Sequence, residues 1–388
     1  MLFQPAIIAL LLASAVSVAL LAAAAPFAWE LVRHWDITSG SERQLRLERR
    51  TYLMSTLLAF VFATQLVALL LFVFNADKMA LMFVGAMCAV GTLNANEFGF
   101  PALIAQIGVF FLAAAWLVVN HADSRAYDYP LVKVKYSLLL GILPFVALAF
   151  GLQLEYFLNL KADVITSCCG SLFSGDAKTL TGDAAAMPPR QALALFYGAL
   201  AAAIAAAIIH ARALHPRNSD MNHQSPQSAT HLYERGAGGI SRWLVAKPTL
   251  QNPPQPPFCK GGSVWPSTRV SGYLVALFSA LAFVAALAGI LSFVSLYVYE
   301  HPHHHCPFCL LKPEYDYQGY WLYLPLFAAT AAGLGVGALQ PFARVASLAV
   351  IVPGIARRLS WIAATGFALF TAVATVMMVH SNLILLEG

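Results

Sequence analysis

The densest set of reactive side chains lies in residues 299–321, YEHPHHHCPFCLLKPEYDYQGYW. Cys306 and Cys309 stand in Cys-x-x-Cys spacing, directly after His303, His304 and His305. That spacing lets two sulfurs close a small disulfide with little loss of loop entropy. A thiolate at a helix start or beside a cationic histidine both attacks and leaves readily in thiol–disulfide exchange. The same two sulfurs, with imidazole nitrogens from His303, His304 and His305, also make a donor set for a soft metal such as copper, zinc or mercury. A c-type haem attachment is excluded, because Leu310 follows Cys309 where histidine is required.

A second candidate is ITSCCGSLF at 165–173. Adjacent cysteines such as Cys168 and Cys169 rarely bridge each other, since the ring would be strained. They more often hold a soft metal or exchange with a distant pair, and Gly170 gives the backbone freedom there. Cys168 or Cys169 exchanging with the 306/309 pair would form a two-dithiol relay. A third reading is a non-catalytic membrane subunit in which bridges between outer loops serve only stability. Cys88 stands alone and reads first as a packed apolar residue. Cys259 lies in the polar, proline-rich stretch 247–262 and reads as a thiol in a linker.

The segment CPFCLL at 306–311, placed just before an apolar span, resembles the active-site segment of the vitamin K epoxide reductase family and its bacterial disulfide-bond-forming analogues. The resemblance implies that Cys306 and Cys309 exchange electrons with a quinone at the membrane edge. It also implies that a second pair, here Cys168 and Cys169, passes electrons from a thioredoxin-like periplasmic partner.

These residues need elements to position them, and the composition says which. The chain has 388 residues, 60% of them hydrophobic and 11% charged, with a mean hydropathy of +0.70. Soluble domains are about 45–50% apolar and about 25% charged. A soluble enzyme, a disordered chain and a nucleic-acid-binding domain are therefore excluded. Apolar residues run in unbroken blocks, which also excludes an alternating β-barrel. The fold class expected is an all-α polytopic membrane protein. A span needs about 20 apolar residues. Eight segments qualify, at 5–28, 52–74, 98–120, 137–154, 191–210, 271–298, 320–342 and 359–380.

Lys and Arg collect on cytoplasmic loops. With the amino terminus outside, 18 of the 23 basic residues fall in the loops 33–50, 121–136 and 211–270 and in the last inner loop. Both termini are therefore expected outside, in the cytoplasmic (inner) membrane of a bacterium. Five of the six cysteines then fall on or near the oxidising face. The first span has no basic residue before Arg33, so it reads as an uncleaved anchor rather than a signal peptide.

The organisation expected is as follows. Residues 1–210 hold five spans with outer segments 75–97 and 155–190. Residues 211–270 form a flexible cytoplasmic loop, and residues 271–388 hold three spans with the outer His/Cys loop 299–319. Residues 79–96 are expected to form a short outer re-entrant or interfacial helix that turns at Asn94–Glu97. Asp77 and Glu97 lie near membrane depth, where surface exposure at the headgroups is the simpler reading. The tyrosines around Trp321 read as an aromatic belt, with ring stacking on a quinone or haem as the alternative. No phosphate loop, His-Glu-x-x-His or Gly-x-Ser-x-Gly pattern is present.

Overall fold

The computed structural model describes residues 4–37, 39, 41–86, 88–161, 187–215, 266–302 and 304–383. Among these residues the regular structure is helical, with no strand. The helices are α1 (Pro5–His34), α2 (Glu42–Met79), α3 (Ala89–Leu93), α4 (Gly99–Asp123) and α5 (Val132–Leu158). They continue with α6 (Pro189–Ala213), α7 (Pro266–Gly289), α8 (Ser295–Tyr299), α9 (Gln318–Leu339) and α10 (Ile351–Val379). A π turn, Ile290–Val294, joins α7 to α8. Among the described residues, eight helical segments are long and apolar enough to cross a membrane, and in hydrocarbon helices satisfy their backbone internally.

Local signals explain several helix starts. Pro5 and Pro189 occupy first-turn positions, where the missing amide costs nothing. Ser41 caps α2 by accepting from the Gln44 amide at 3.3 Å. Several helices run further than hydropathy alone marks, α2 and α10 among them. α2 extends back to Glu42 through a charged turn, and α10 begins at Ile351, taking Arg357 and Arg358 into its first turns. An 18-residue apolar window misses such amphipathic ends.

The helices pack as two half-bundles. One core joins α1, α2, α4 and α5 around Phe62, Trp116 and Tyr136. The other joins α6, α7, α9 and α10 around Phe196, Phe293, Phe367 and Phe370. Phenylalanines close the seam between them. Phe327 of α9 stacks on Phe111 of α4 at 5.6 Å and meets Phe110 edge-on at 5.3 Å.

The bundle has two chemically different ends. At one, Asn75 donates to the Ala6 carbonyl at 3.2 Å and Glu300 accepts from the Asn382 backbone amide at 2.9 Å. The beginning of α1 and the residues after α10 thus share an end with Cys88 and Cys306. At the other end, Lys135 and Asp123 form a buried ion pair at 2.7 Å, with side chains 2% and 0% exposed. The other Asp123 oxygen accepts from the Leu131 amide at 2.8 Å, and the Lys135 carbonyl accepts from Trp116 Nε1 at 2.9 Å. The pair therefore fixes the α4–α5 turn.

Removing one partner leaves a buried charge alone, which costs about 3–5 kcal/mol. Lys135→Met is expected to lower stability by about that amount, and adding Asp123→Asn is expected to recover part of the loss. Unfolding in micelles followed by circular dichroism checks this, and additive losses in the double variant would contradict it.

Candidate functional site

Three thiols from distant parts of the chain meet at one end of the bundle. Cys88, Cys306 and Cys309 are 0%, 0% and 4% exposed. Cys88 Sγ lies 3.3 Å from Cys306 Sγ, across 218 residues of sequence. Either thiol can donate in that contact, which is longer than the roughly 2.05 Å of a disulfide bond. All three sulfurs lie within 4.8 Å of one another. Val90, Phe100, Leu291, Phe308, Tyr299 and Tyr315 pack around them, so the pocket is apolar.

The Cys-x-x-Cys turn is built by the chain leaving α8. Glu300 adopts a left-handed conformation (φ 52°), which ends the helix and turns the chain back. Two phenols then clamp the turn from both sides. Tyr299 of α8 donates to the Cys306 carbonyl at 2.6 Å, and Tyr323 of α9 donates to the Pro307 carbonyl at 2.7 Å. The Leu311 and Lys312 amides donate to the Phe308 and Cys309 carbonyls at 3.0 Å each, so Cys309 opens a 3₁₀ turn. Gly319 at the start of α9 lets this turn pack closely, since a Cβ there would stand 2.8 Å from Leu311 and 3.0 Å from Leu310.

The π turn supplies a further anchor. His305 Nδ1 contacts the Leu291 carbonyl at 2.7 Å. A carbonyl only accepts, so Nδ1 is the donor in this contact. A π turn within an α-helix frequently marks a functional site, and here it meets the residue next to Cys306. His304 lies against the Tyr299 ring, with centroids 4.1 Å apart. Its Nε2 is buried without a hydrogen-bond partner among the described residues.

Cys88 is delivered by α3, whose five residues are all buried. The segment expected on the outer face as a re-entrant or interfacial helix thus contributes a buried wall of the pocket. Thr92 donates to the Ala76 carbonyl at 2.7 Å, and the Ala89 amide donates to Asp77 Oδ1 at 3.2 Å. Both bonds dock α3 on the last turns of α2. Gly99 lets α4 begin directly beside it, because a Cβ there would stand 2.1 Å from the Leu93 carbonyl oxygen.

The structure therefore brings Cys306 and Cys309 together with a third thiol that no motif announces. Cys88 reads from sequence as a packed apolar residue, and it is packed, but against sulfur. The sulfur group within 4.8 Å is Cys88, Cys306 and Cys309; His304 and His305 stand beside it and are not in it. Cys168, Cys169, Cys259 and His303 lie outside the described residues. Of the tyrosines read as an aromatic belt, Tyr317 and the neighbouring Trp321 are exposed, whereas Tyr299 and Tyr323 turn inward as clamps. Asp77, read as a headgroup-level carboxylate, is half-buried and holds an amide of α3.

Such an arrangement can close a disulfide between any two of its sulfurs, or hold a soft metal ion on three. Its chemistry depends on the clamps. Each phenol–carbonyl bond contributes about 1 kcal/mol net, so Tyr299→Phe is expected to raise the local opening of the turn roughly fivefold. The alkylation rate of Cys306 in folded protein measures that opening. An unchanged rate in both Tyr299→Phe and Tyr323→Phe would show that the phenols do not hold the turn.

No family model, curated protein or solved structure matches the chain, so the chemistry of the site is read from its own residues.

Proposed function

We propose that the protein is a multi-pass thiol–disulfide oxidoreductase of a bacterial cytoplasmic membrane, with the thiol end facing the oxidising compartment. The observation that carries this reading is the meeting of three buried thiols, with Cys88 in contact with the first cysteine of a Cys-x-x-Cys turn. The collection of basic residues in the loops 33–50, 121–136 and 211–270 of the sequence supports the orientation, with both termini outside and the 211–270 loop in the cytoplasm.

The exchange is balanced within the trio. In the oxidised state Cys306 and Cys309 share a disulfide. The Cys88 thiolate attacks Cys306 Sγ, the 306–309 bond breaks, and an 88–306 bond forms. The proton lost by Cys88 is taken up by the departing Cys309 sulfur. No net oxidation occurs in that step, so it moves a disulfide across the pocket. Regenerating the 306–309 disulfide from two thiols releases two protons and two electrons. The resemblance of CPFCLL assigns those electrons to a bilayer quinone and assigns their supply to a thioredoxin-like dithiol acting through Cys168 and Cys169. The apolar pocket suits a lipid-soluble oxidant better than direct attack by a protein thiol, which supports a relay from an outer loop.

One observation favours a second reading. Three sulfur donors within 4.8 Å also suit a soft ion such as copper(I), mercury(II) or zinc, with the neighbouring histidines as entry ligands.

Cys306 belongs to both disulfides of the exchange, so Cys306→Ser is expected to abolish thiol oxidation in membranes. Cys309→Ser is expected to accumulate the 88–306 disulfide. Oxidation of a reduced thioredoxin-like substrate, with non-reducing mass mapping, checks both. Wild-type rates in Cys306→Ser would overturn the redox reading. Stoichiometric metal in the purified wild type, lost in that variant, would favour the second.

A further inference from the structure

We propose that Asp77 is the positioning residue that holds Cys88 toward Cys306, by fixing the first amide of α3. The inference rests on Cys88 as an exchanging thiol. It starts from an anomaly at the beginning of α3.

The residue before a helix normally uses its side chain to accept from an amide of the first turn. Cys88 occupies that position with extended backbone, and its side chain makes no such bond. Its sulfur points instead to Cys306 at 3.3 Å. Another element holds the start of α3: the Ala89 amide, first in the helix and adjacent to Cys88, donates to Asp77 Oδ1 at 3.2 Å. Ala89 is fully buried, so without Asp77 this amide is stranded in an apolar pocket. A stranded buried donor carries a substantial penalty, so the start of α3 would shift toward another acceptor and carry Cys88 away from Cys306. The Asp77 side chain therefore keeps Cys88 where its thiol meets Cys306.

The neighbouring residues fit that role. Ala76, one residue earlier, accepts from Thr92 at 2.7 Å, so α3 is tied through Ala89 and Thr92 to consecutive residues of α2. Asp77 also lies within the electrostatic reach of Lys312, three residues beyond Cys309, and of Glu314. One carboxylate thus faces both the helix that carries Cys88 and the turn that carries Cys309.

The test is disulfide formation with diamide in purified protein, independent of any physiological electron acceptor. Two thiols become one disulfide, and the azo group of diamide takes up the two electrons and two protons. In a Cys309→Ser background only the 88–306 bond can form within the trio. In a Cys88→Ser background only 306–309 can, which reports whether the turn remains folded. Asp77→Ala is expected to slow 88–306 formation about fivefold or more, the loss of roughly one hydrogen bond, while 306–309 forms at its usual rate. Asp77→Asn keeps an acceptor oxygen and is expected to restore the 88–306 rate. Wild-type 88–306 rates in Asp77→Ala would overturn the proposal. So would equal losses in Asp77→Asn and Asp77→Ala, which would assign the effect to charge, or a parallel loss of 306–309, which would assign it to general unfolding. Absence of the 88–306 bond with Asp77 intact would instead overturn the exchange role of Cys88 on which the inference rests.

Discussion

The contact between Cys88 and Cys306 is the constraint around which this end of the molecule is organised. It joins two points 218 residues apart and puts three sulfurs into an apolar pocket. To reach it, α2 must end where α3 can dock, and α4 must start against the Leu93 carbonyl, which only a residue without a Cβ permits. From the other half-bundle, α7 must pass through a π turn and the chain must reverse at a left-handed glutamate. The seam of phenylalanines between α4 and α9 holds the two halves in register. Without that packing the thiols belong to separate bodies.

The second organising rule is satisfaction of the backbone away from water. In a bilayer every peptide group needs a partner within the protein. The site meets this with side chains: two tyrosines on consecutive carbonyls of the Cys-x-x-Cys turn, a histidine on a π-turn carbonyl, an aspartate on the first amide of α3 and a threonine of α3 on the Ala76 carbonyl of α2. Each bond is modest, but together they hold an irregular loop at this end of the bundle. The same logic appears at the opposite end, where Asp123 answers both the Lys135 ammonium and the Leu131 amide. Fixed surroundings of this kind keep sulfurs at exchange distance without requiring them to be exposed.

Composition and hydropathy disclosed most of the architecture, since a helix of apolar residues is recognised one segment at a time. The eight spans and the Cys-x-x-Cys turn were legible for that reason. The beginnings of α2 and α10 were not, because charged residues in their first two turns dilute the apolar signal. Cys88 was visible only as a lone cysteine near the outer face; its meeting with Cys306 depends on how α2, α4 and α7 pack, which no local pattern encodes. The inward turn of Tyr299 and Tyr323 was hidden likewise among tyrosines of identical composition. The histidine run suggested a ligand set, whereas His305 spends one nitrogen on the Leu291 carbonyl and His304 lies on Tyr299. The third thiol changes the chemistry most, since it turns a single dithiol into a group that can pass a disulfide between partners.

The most direct test is a redox map of the wild-type chain in native membranes. Differential alkylation and mass spectrometry would assign every cysteine before and after a cycle of reduction and reoxidation, with metal content measured on the same material. The account predicts disulfides that share Cys306, pairing it with Cys309 or with Cys88, and that interconvert through the cycle without bound metal. Persistent thiols at all three positions under oxidising conditions, or a single bridge that resists reduction, would contradict it.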